Sequence, residues 1–209
     1  MKKKIAILGS TGSIGKTLLK IINKDRNKFQ VSLLTANKDY RTLLKQSIKF
    51  KVKNLIVTDL KSFKILKNIT KKSNINVYNN YESFSLIFKK KLDYVMSSIT
   101  GIEGLVPTIN IIKYTKKIAI ANKESIICGW NLINKELKKN KTKFIPVDSE
   151  HFSLWFGINN ILTKKVEKIY LTASGGPLLN VPRKKFKNLK ISRIIKHPNW
   201  NMGAKISVD

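Results

Sequence analysis

The segment Lys4–Gly15, KIAILGSTGSIG, determines how the rest of the chain is interpreted. Its apolar run ends at Leu8, glycines follow at the spacing G-x-x-G-x-x-G, and an amphipathic helix pattern begins at Ser13. Glycines allow the backbone to turn sharply and to approach a pyrophosphate group, which the N–H groups at the start of a helix would bind. The pattern therefore predicts a strand, a phosphate-binding loop and a helix, although an ordinary strand–turn–helix connection fits it as well.

Short apolar runs alternate with longer amphipathic stretches through residues 1–147. The predicted strands are Lys4–Leu8, Gln30–Thr35, Asn54–Val57, Asn76–Tyr78, Tyr94–Ser97, Lys117–Ile120 and Phe144–Val147. The predicted helices are Ser13–Asn23, Tyr40–Phe50, Lys61–Lys71, Tyr81–Phe88, Val106–Tyr114 and Ser125–Lys138. Because such alternation is typical of βαβ units, we predict an α/β fold with a Rossmann-like, doubly wound and mainly parallel sheet.

The alternation changes after Val147, where we place a domain boundary. Apolar residues at helical spacing predict an amphipathic helix over His151–Leu162, and the next apolar run predicts a strand over Val166–Thr172. The tail from Pro182 is rich in lysine and loop-like. We expect a second domain over residues 148–209 that is too small to fold well alone.

The chain is strongly basic, with 42 Lys and Arg against 12 Asp and Glu and a net charge of +30. A nucleic-acid partner is the first interpretation of such a charge. However, only four of the basic residues are arginine, which leaves 42 − 4 = 38 lysines, and lysine lacks the planar fork that favours arginine in phosphate and base recognition. Lysine also accompanies many Ile and Asn residues, which share A/T-rich codons. We therefore expect a solvated surface and no nucleic-acid partner.

Cysteine content and hydropathy indicate the cellular compartment of the chain. Cys128 is the single cysteine, so no disulfide can form within the chain, as expected in a reducing compartment. The apolar run Ile5–Leu8 is shorter than the roughly 7–15 residues of a signal-peptide core. No stretch approaches the ~20 apolar residues of a membrane span. We expect a soluble, cytoplasmic protein with no membrane partner.

The end of the second predicted strand indicates which dinucleotide would bind. An NAD site places an acidic residue about 20 residues after the glycine loop, to accept hydrogen bonds from the ribose 2′-OH. This chain has Asn37 and Lys38 there, which would attract a 2′-phosphate instead. Asp39 follows and weakens the contrast. The pattern favours NADP(H) over NAD(H).

Two polar clusters follow later strands, at the edge where ligands bind in open α/β sheets. Asn122, Lys123 and Glu124 come directly after one strand; Glu124 also suits the first turn of a helix, whereas Lys123 does not. Asp148 and Glu150 follow the last strand, and on an extended segment two such side chains would point the same way and suit a hard cation such as Mg²⁺ or Mn²⁺. Capping of the next helix by Asp148 or Ser149 explains the same residues equally well.

Two further motifs lie in the second predicted domain. The stretch TASGGP, which contains Ser174, supplies a hydroxyl and backbone N–H groups for a phosphate, or forms an ordinary turn. The stretch HPNWNMG, with His197 and Trp200, fits a lid over a substrate, although Trp200 also fits a plain core position.

Five motifs together carry a resemblance to a known family. The stretches ILGSTGSIG, ANKES, PVDSEH, SGGP and HPNW followed by MG and KISVD resemble those of 1-deoxy-D-xylulose 5-phosphate reductoisomerase, in the same order and at similar spacing across the whole chain. The resemblance implies an NADPH-binding domain over residues 1–147 and an incomplete α+β catalytic domain over residues 148–209. It also implies rearrangement by retroaldol cleavage and re-addition, followed by hydride transfer from NADPH to give 2-C-methyl-D-erythritol 4-phosphate.

The resemblance assigns roles to individual residues. It implies that NADPH is bound by Thr11, Gly12, Ser13, Ile14, Asn37, Lys38, Asn122, Glu124 and Gly203. It implies that the sugar phosphate substrate is bound by Lys123, Ser149, Ser174 and His197. Asp148 and Glu150 become ligands of a divalent cation, Mg²⁺ or Mn²⁺ with Co²⁺ as a further candidate. Members of the family continue beyond the match with Asp209, adding a third acidic ligand and a helical domain. We therefore expect this chain to bind NADPH better than it turns over substrate, and we do not carry the family's homodimer over to it.

Three other interpretations stay open. A basic RNA-associated module would show RNA affinity that falls steeply with salt. A semialdehyde dehydrogenase also has a G-x-x-G-x-x-G loop, but that class needs a catalytic cysteine, and Cys128 has no matching His partner in reach by sequence. A non-catalytic remnant that only binds NADPH is the third.

Overall fold

The computed structural model describes residues 1–158, 165–170 and 176–196, and it divides into two compact units, Met1–Ile161 and Leu162–Asp209. The first unit contains a seven-stranded sheet in the order β4-β3-β2-β1-β5-β6-β7, with every neighbouring pair parallel. The strands are β1 Lys3–Leu8, β2 Phe29–Ala36, β3 Asn54–Val57, β4 Asn76–Tyr78, β5 Tyr94–Ser97, β6 Lys117–Ile120 and β7 Lys143–Pro146. The predicted Rossmann-like parallel sheet is confirmed.

Helices connect the strands as the predicted βαβ alternation requires. They are α1 Ser13–Lys24, α2 Tyr40–Phe50, α3 Leu60–Ile69, α4 Phe84–Ile87, α5 Leu105–Ile112, α6 Lys123–Asn140 and α7 Ser149–Ile158. In α1 the buried residues are Gly15, Leu19 and Ile22, so one stripe of the helix faces the sheet. The predicted single helix Tyr81–Phe88 is instead a 3-10 turn, Tyr81–Ser83, followed by the short α4.

The core has two apolar layers, one on each face of the sheet. Along β1, Ile5 and Ile7 belong to one layer and Ala6 and Leu8 to the other, because side chains alternate along a strand. Both faces of β1 are covered from Ile5 to Leu8, which explains why this part of its sequence is continuously apolar rather than alternating. β1 is therefore the centre of the sheet, and the strand order changes direction between β1 and β5.

Two helices begin two residues earlier than the apolar periodicity predicted. α6 begins at Lys123 rather than Ser125, and α7 begins at Ser149 rather than His151. In both cases a polar residue just before the helix bonds a first-turn N–H, so capping rather than apolar spacing sets the start. The predicted end of the last helix, at Leu162, lies outside the described residues.

The second unit is described over residues 165–170 and 176–196. The strand predicted over Val166–Thr172 is wrong for residues 166–170, which have no regular secondary structure. Tyr170 is 80% exposed and no described strand pairs with this segment; apolar content alone does not make a strand without a partner. The tail predicted as loop-like contains a 3-10 helix, Arg183–Asn188, and a short α-helix, α8 Ile191–Ile194.

Among the helices described, none combines the length and the apolar character that crossing a bilayer demands.

Candidate functional site

The predicted site segments of the first unit lie at one edge of the sheet. The glycine loop, Asn37–Lys38, Asn122–Glu124 and Asp148–Glu150 follow β1, β2, β6 and β7, and parallel strands all end at the same edge. The crevice between β1 and β5 opens there, where the strand order reverses. A surface cavity at the opposite edge contains no predicted site residue; it is lined by Met1, Lys2, Lys3, Asn27, Lys28 and Phe29.

Packing requires two of the three glycines in the loop. Gly9 has φ +78°, and a Cβ there would lie 2.8 Å from the backbone oxygen of Ser98, just beyond β5. A Cβ on Gly15 would lie 2.6 Å from Gly9 O, so α1 packs directly on the loop. A Cβ on Gly12 would meet only Gly9 O, at 3.4 Å, which is an ordinary contact. Since the fold does not require a glycine at position 12, its small size leaves space on the solvent side of the loop.

The N-terminus of α1 has no side-chain cap. Its N-cap residue, Gly12, forms no side-chain hydrogen bond, and the first turn contains no acidic residue. α2, α3 and α6 are capped: Asp39 Oδ1 accepts from Thr42 N at 3.0 Å, Asp59 Oδ2 from Ser62 N at 2.8 Å and Asn122 Oδ1 from Ser125 N at 2.8 Å. The first-turn N–H groups and the positive end of the α1 dipole therefore suit an external anion.

The predicted phosphate-binding residues surround this end of α1. Gly12, Ser13 and Ile14 are exposed, and Thr11 is half-buried. Ile14 is 40% exposed although it is apolar, which suits contact with a bound ligand. The structure thus brings all four residues together at the crevice.

The turn after β2 exposes Lys38, with the carboxylates of Asp39 and Asp59 nearby. Asn37 Nδ2 donates to Thr58 Oγ1 at 2.9 Å, and both Asn37 and Lys38 are exposed. The carboxylate of Asp39 is bonded to the N-terminus of α2, so it is engaged as a helix cap. The pKa of Asp59 is lowered, first by the hydrogen bond from the Ser62 backbone and more weakly by the charge of Lys38.

Asn122 fixes the loop that follows β5. It is 3% exposed; its Nδ2 donates to Gly101 O at 2.6 Å and also to Ile99 O, while its Oδ1 caps α6. Both ends of its amide are engaged by the protein, which makes Asn122 a structural connection between the loop after β5 and the start of α6. Its predicted contact with the dinucleotide stays a prediction. Lys123 is exposed and Glu124 is half-buried at the same helix end.

Asp148 caps α7. Its Oδ1 accepts from His151 N at 2.9 Å and contacts His151 Nδ1 at 2.6 Å. The expectation that Asp148 and Glu150 lie together on an extended segment is wrong, because Glu150 belongs to the helix Ser149–Ile158, which begins directly after Asp148. Ser149 Oγ donates to Glu150 Oε2 at 3.0 Å. Within the described ranges, no three or more His, Cys, Asp or Glu side chains form a group that could hold a metal ion.

The carboxylate oxygens of Asp148 and Glu150 nevertheless fit a hard cation. Burial is the largest influence on the pKa of Asp148 and acts to raise it, but the hydrogen bonds from the backbone and ring of His151 together lower that pKa. Asp148 is therefore ionised at neutral pH, and Glu150 is an exposed carboxylate two residues away. Carboxylate oxygens are the ligands that Mg²⁺ and Mn²⁺ prefer.

Three predicted site residues, Ser174, His197 and Gly203, lie outside the described residues, as does Trp200. Conversely, the structure reveals buried polar residues that sequence reasoning missed. Ser10 is fully buried beneath the glycine loop and bonds both Thr35 and Gln46. The signal for Gln46 was its place on the buried stripe of α2, where a polar side chain needs a partner.

A parallel sheet with a glycine loop and an uncapped helix at its switch point is the architecture of the Rossmann-type dinucleotide-binding folds. A family model described as 1-deoxy-D-xylulose 5-phosphate reductoisomerase matches residues 5–129, and the model of that family's C-terminal domain matches residues 144–209. The chain belongs to the 1-deoxy-D-xylulose 5-phosphate reductoisomerase family.

Curated relatives of the same name match the chain along its whole length. The protein of Pelagibacter ubique is 57% identical over 209 residues, which cover 99% of this chain and 54% of the relative. That of Clostridium tetani is 38% identical, covering 99% of this chain and 55% of the relative. The chain thus spans about half the length of the curated relatives it matches.

Solved structures of the family have the same architecture. The reductoisomerase of Zymomonas mobilis in complex with NADPH aligns with a TM-score of 0.85 and 27% identity, covering 93% of this chain and 52% of the other. A DOX-P reductoisomerase in complex with NADPH, fosmidomycin and magnesium aligns with a TM-score of 0.84 and 29% identity, covering 99% of this chain and 54% of the other.

Proposed function

We propose that this chain forms the NADPH-binding region and the first part of the catalytic region of an enzyme that converts 1-deoxy-D-xylulose 5-phosphate to 2-C-methyl-D-erythritol 4-phosphate. The reaction belongs to the methylerythritol phosphate route to isoprenoid precursors, and we place it in the cytoplasm. The observation that carries the proposal is the uncapped N-terminus of α1 at the β1–β5 crevice, in a chain of this family.

In this proposal, NADPH lies across the carboxyl edge of the sheet. The first-turn N–H groups of α1 bind its pyrophosphate, with Thr11–Ile14 around it. Lys38 and Asn37 bind the 2′-phosphate, while the neighbouring Asp39 bonds the N-terminus of α2 through one of its carboxylate oxygens. Asn122 and Glu124 then lie on the nicotinamide side of the crevice, beyond β6.

The chemistry would take place beside the start of α7. Asp148 and Glu150 would hold a divalent cation, which when bound supplies Lewis-acid stabilisation of negative charge on substrate oxygens. The His151 backbone N–H orients the Asp148 carboxylate at 2.9 Å and lowers its pKa with the His151 ring, so the carboxylate stays ionised. Lys123, at the start of the neighbouring α6, would bind the anionic substrate together with Ser149. Ser174 and His197 have roles that rest on the family resemblance.

The reaction needs the nicotinamide of NADPH to be held in one orientation relative to the substrate. Retroaldol cleavage breaks one carbon–carbon bond, re-addition forms another, and the resulting aldehyde accepts a hydride from NADPH and a proton from solvent to become an alcohol. The contribution of the described residues is to fix the nicotinamide relative to the metal and substrate positions and to compensate the negative charge of two phosphate-bearing ligands.

A binding titration of the 209-residue chain tests the NADPH site. We expect saturable NADPH binding, followed by nicotinamide fluorescence, and weaker NADH binding. Lys38→Ala should reduce the preference for NADPH by roughly tenfold, because one ion pair to a phosphate is lost. Lys24→Ala is the matched control, since Lys24 is at the far end of α1. A chain that binds NADPH no better than NADH would contradict the proposed 2′-phosphate site.

A turnover assay tests the catalytic part separately. Consumption of NADPH is followed by absorbance with 1-deoxy-D-xylulose 5-phosphate and Mg²⁺, with and without a chelator. We expect the chain to bind NADPH in the titration but to consume little of it with substrate in this assay. Chelator-insensitive consumption would contradict the proposed role of Asp148 and Glu150.

A further inference from the structure

A buried hydrogen-bond network joins the glycine loop to α2 and has no role in the site described so far. Gln46 Oε1 accepts from Ser10 Oγ at 2.7 Å, and Gln46 Nε2 donates to Ser10 O at 2.9 Å. Ser10 is fully buried and Gln46 is 9% exposed. An amide that bonds both the hydroxyl and the carbonyl oxygen of one buried residue fixes that residue, because any displacement leaves a buried polar atom without a partner.

The same network extends to the end of β2. Gly9 N donates to Thr35 Oγ1 at 2.9 Å, and Ser10 N donates to Thr35 O at 2.9 Å. Thr35 is fully buried and precedes Asn37 by two residues. The glycine loop is therefore bonded to the strand that leads into the Asn37–Lys38 turn and, through Gln46, to the helix that begins just after it.

We propose that Gln46 is a positioning residue that holds the glycine loop and the Asn37–Lys38 turn as one unit. Its effect is to keep the pyrophosphate position and the 2′-phosphate position at the separation that one NADP(H) molecule requires. Gln46 acts through Ser10 and does not contact the dinucleotide. This role rests on the proposed NADPH site and adds to it a source of selectivity that lies beneath the site.

The experiment compares NADP⁺ with NAD⁺, which lacks the 2′-phosphate. Gln46→Met keeps the length and approximate volume of the side chain and removes both hydrogen bonds. NADP⁺ uses both positions, whereas NAD⁺ uses only the loop, so the variant should lose roughly tenfold in NADP⁺ affinity and about twofold in NAD⁺ affinity by calorimetry. The selectivity ratio, rather than either affinity alone, is the readout, since a general loosening of the loop would weaken both ligands equally.

Ser47→Ala provides the matched control. Ser47 is the next residue of α2, is 1% exposed, and donates from its Oγ to Val52 O at 2.7 Å, beyond the other end of the helix. Its removal should lower the melting temperature without changing the selectivity ratio. Equal losses for both dinucleotides in Gln46→Met, or no loss for either, would overturn the positioning role.

Gln46→Glu keeps the test decisive if Gln46→Met does not fold. A protonated carboxyl can donate to Ser10 O and accept from Ser10 Oγ as the amide does, whereas the ionised form cannot donate. The selectivity of this variant, relative to the unmodified chain at the same pH, should be near normal in acid and should fall as the pH rises. A ratio that does not change with pH would overturn the role. If the unmodified chain binds neither dinucleotide, the NADPH site itself is wrong and the role of Gln46 falls with it.

Discussion

The N-termini of α1 and α7 occupy equivalent places in the fold and are built in opposite ways. Each helix begins just beyond the carboxyl end of a parallel strand, β1 or β7. α1 has glycine as its N-cap and no side-chain bond, whereas α7 is capped by Asp148, whose Oδ1 accepts from His151 N at 2.9 Å. The first-turn N–H groups of α1 therefore remain available to an external anion. At the start of α7, a backbone N–H is bonded by Asp148, and a second carboxylate, Glu150, lies in the first turn. At these two junctions, the capping residue determines whether the first-turn N–H groups remain available to a ligand.

Gly15→Ala disrupts the contact between α1 and the glycine loop and should destabilise the protein more than the other substitutions below. Its Cβ would lie 2.6 Å from Gly9 O and from Ser10 Cα, both backbone atoms that cannot move aside. We expect a loss of about 3 kcal/mol in the free energy of unfolding, measured by urea denaturation. Gly12→Ala is the control and should cost about 1 kcal/mol or less, because only a cap preference changes. Similar losses for the two variants would mean that α1 does not rest on the loop as described.

Gly12→Asp would convert the start of α1 into a copy of the start of α7. The new carboxylate can cap the helix, so stability should rise by a few tenths of a kcal/mol, as expected when Asp replaces Gly at an N-cap. NADPH affinity should fall by about 100-fold, because the carboxylate competes with the pyrophosphate for the same N–H groups and repels it. Gly12→Ala, which adds volume without charge, separates the two causes. Undiminished NADPH binding by Gly12→Asp would place the pyrophosphate elsewhere.

A weaker effect is expected at Asp148, where the contribution of the cap of α7 to stability can be measured without a ligand. Asp148→Ala removes the cap of α7 and should lower the free energy of unfolding by about 1 kcal/mol, measured by thermal denaturation. Asp148→Asn keeps an oxygen that can accept from His151 N, so its stability should stay within a few tenths of a kcal/mol of the unmodified chain. If both variants lose the same stability, the charge of Asp148 rather than its capping bond stabilises α7.

The sheet could be predicted from sequence because polar stretches mark where its apolar strands begin and end. Asn54–Val57, Tyr94–Ser97 and Lys117–Ile120 are short apolar runs between polar stretches, and the structure has each of them with those bounds. The apolar run Val166–Thr172 looked equally good, but its described residues have no strand partner. Apolar composition indicates that a segment could pack in a sheet, whereas a strand also requires a neighbour that the sequence does not identify.

The polar parts of the site were harder to predict because they depend on distant residues. Ser10 and Gln46 are 36 residues apart in sequence and meet only in the folded chain. For the Asp148–Glu150 pair, the spacing left a metal site on an extended segment and a helix cap equally possible; the structure has the cap, and the helix begins at Ser149. Local patterns thus identified which residues are chemically suitable, and tertiary contacts determined how they are oriented.

The close packing of Gly9 against the backbone after β5 has a consequence for biosynthesis. The hydroxyl of Ser98 donates to Leu8 O at 2.7 Å, across 90 residues of sequence. A ribosome therefore releases the nucleotide loop long before it releases the strand that completes the crevice. Until β5 inserts beside β1, the nascent chain has the phosphate-binding motif but only one wall of the crevice. A dinucleotide site at this crevice would therefore be complete only after β5 has paired with β1.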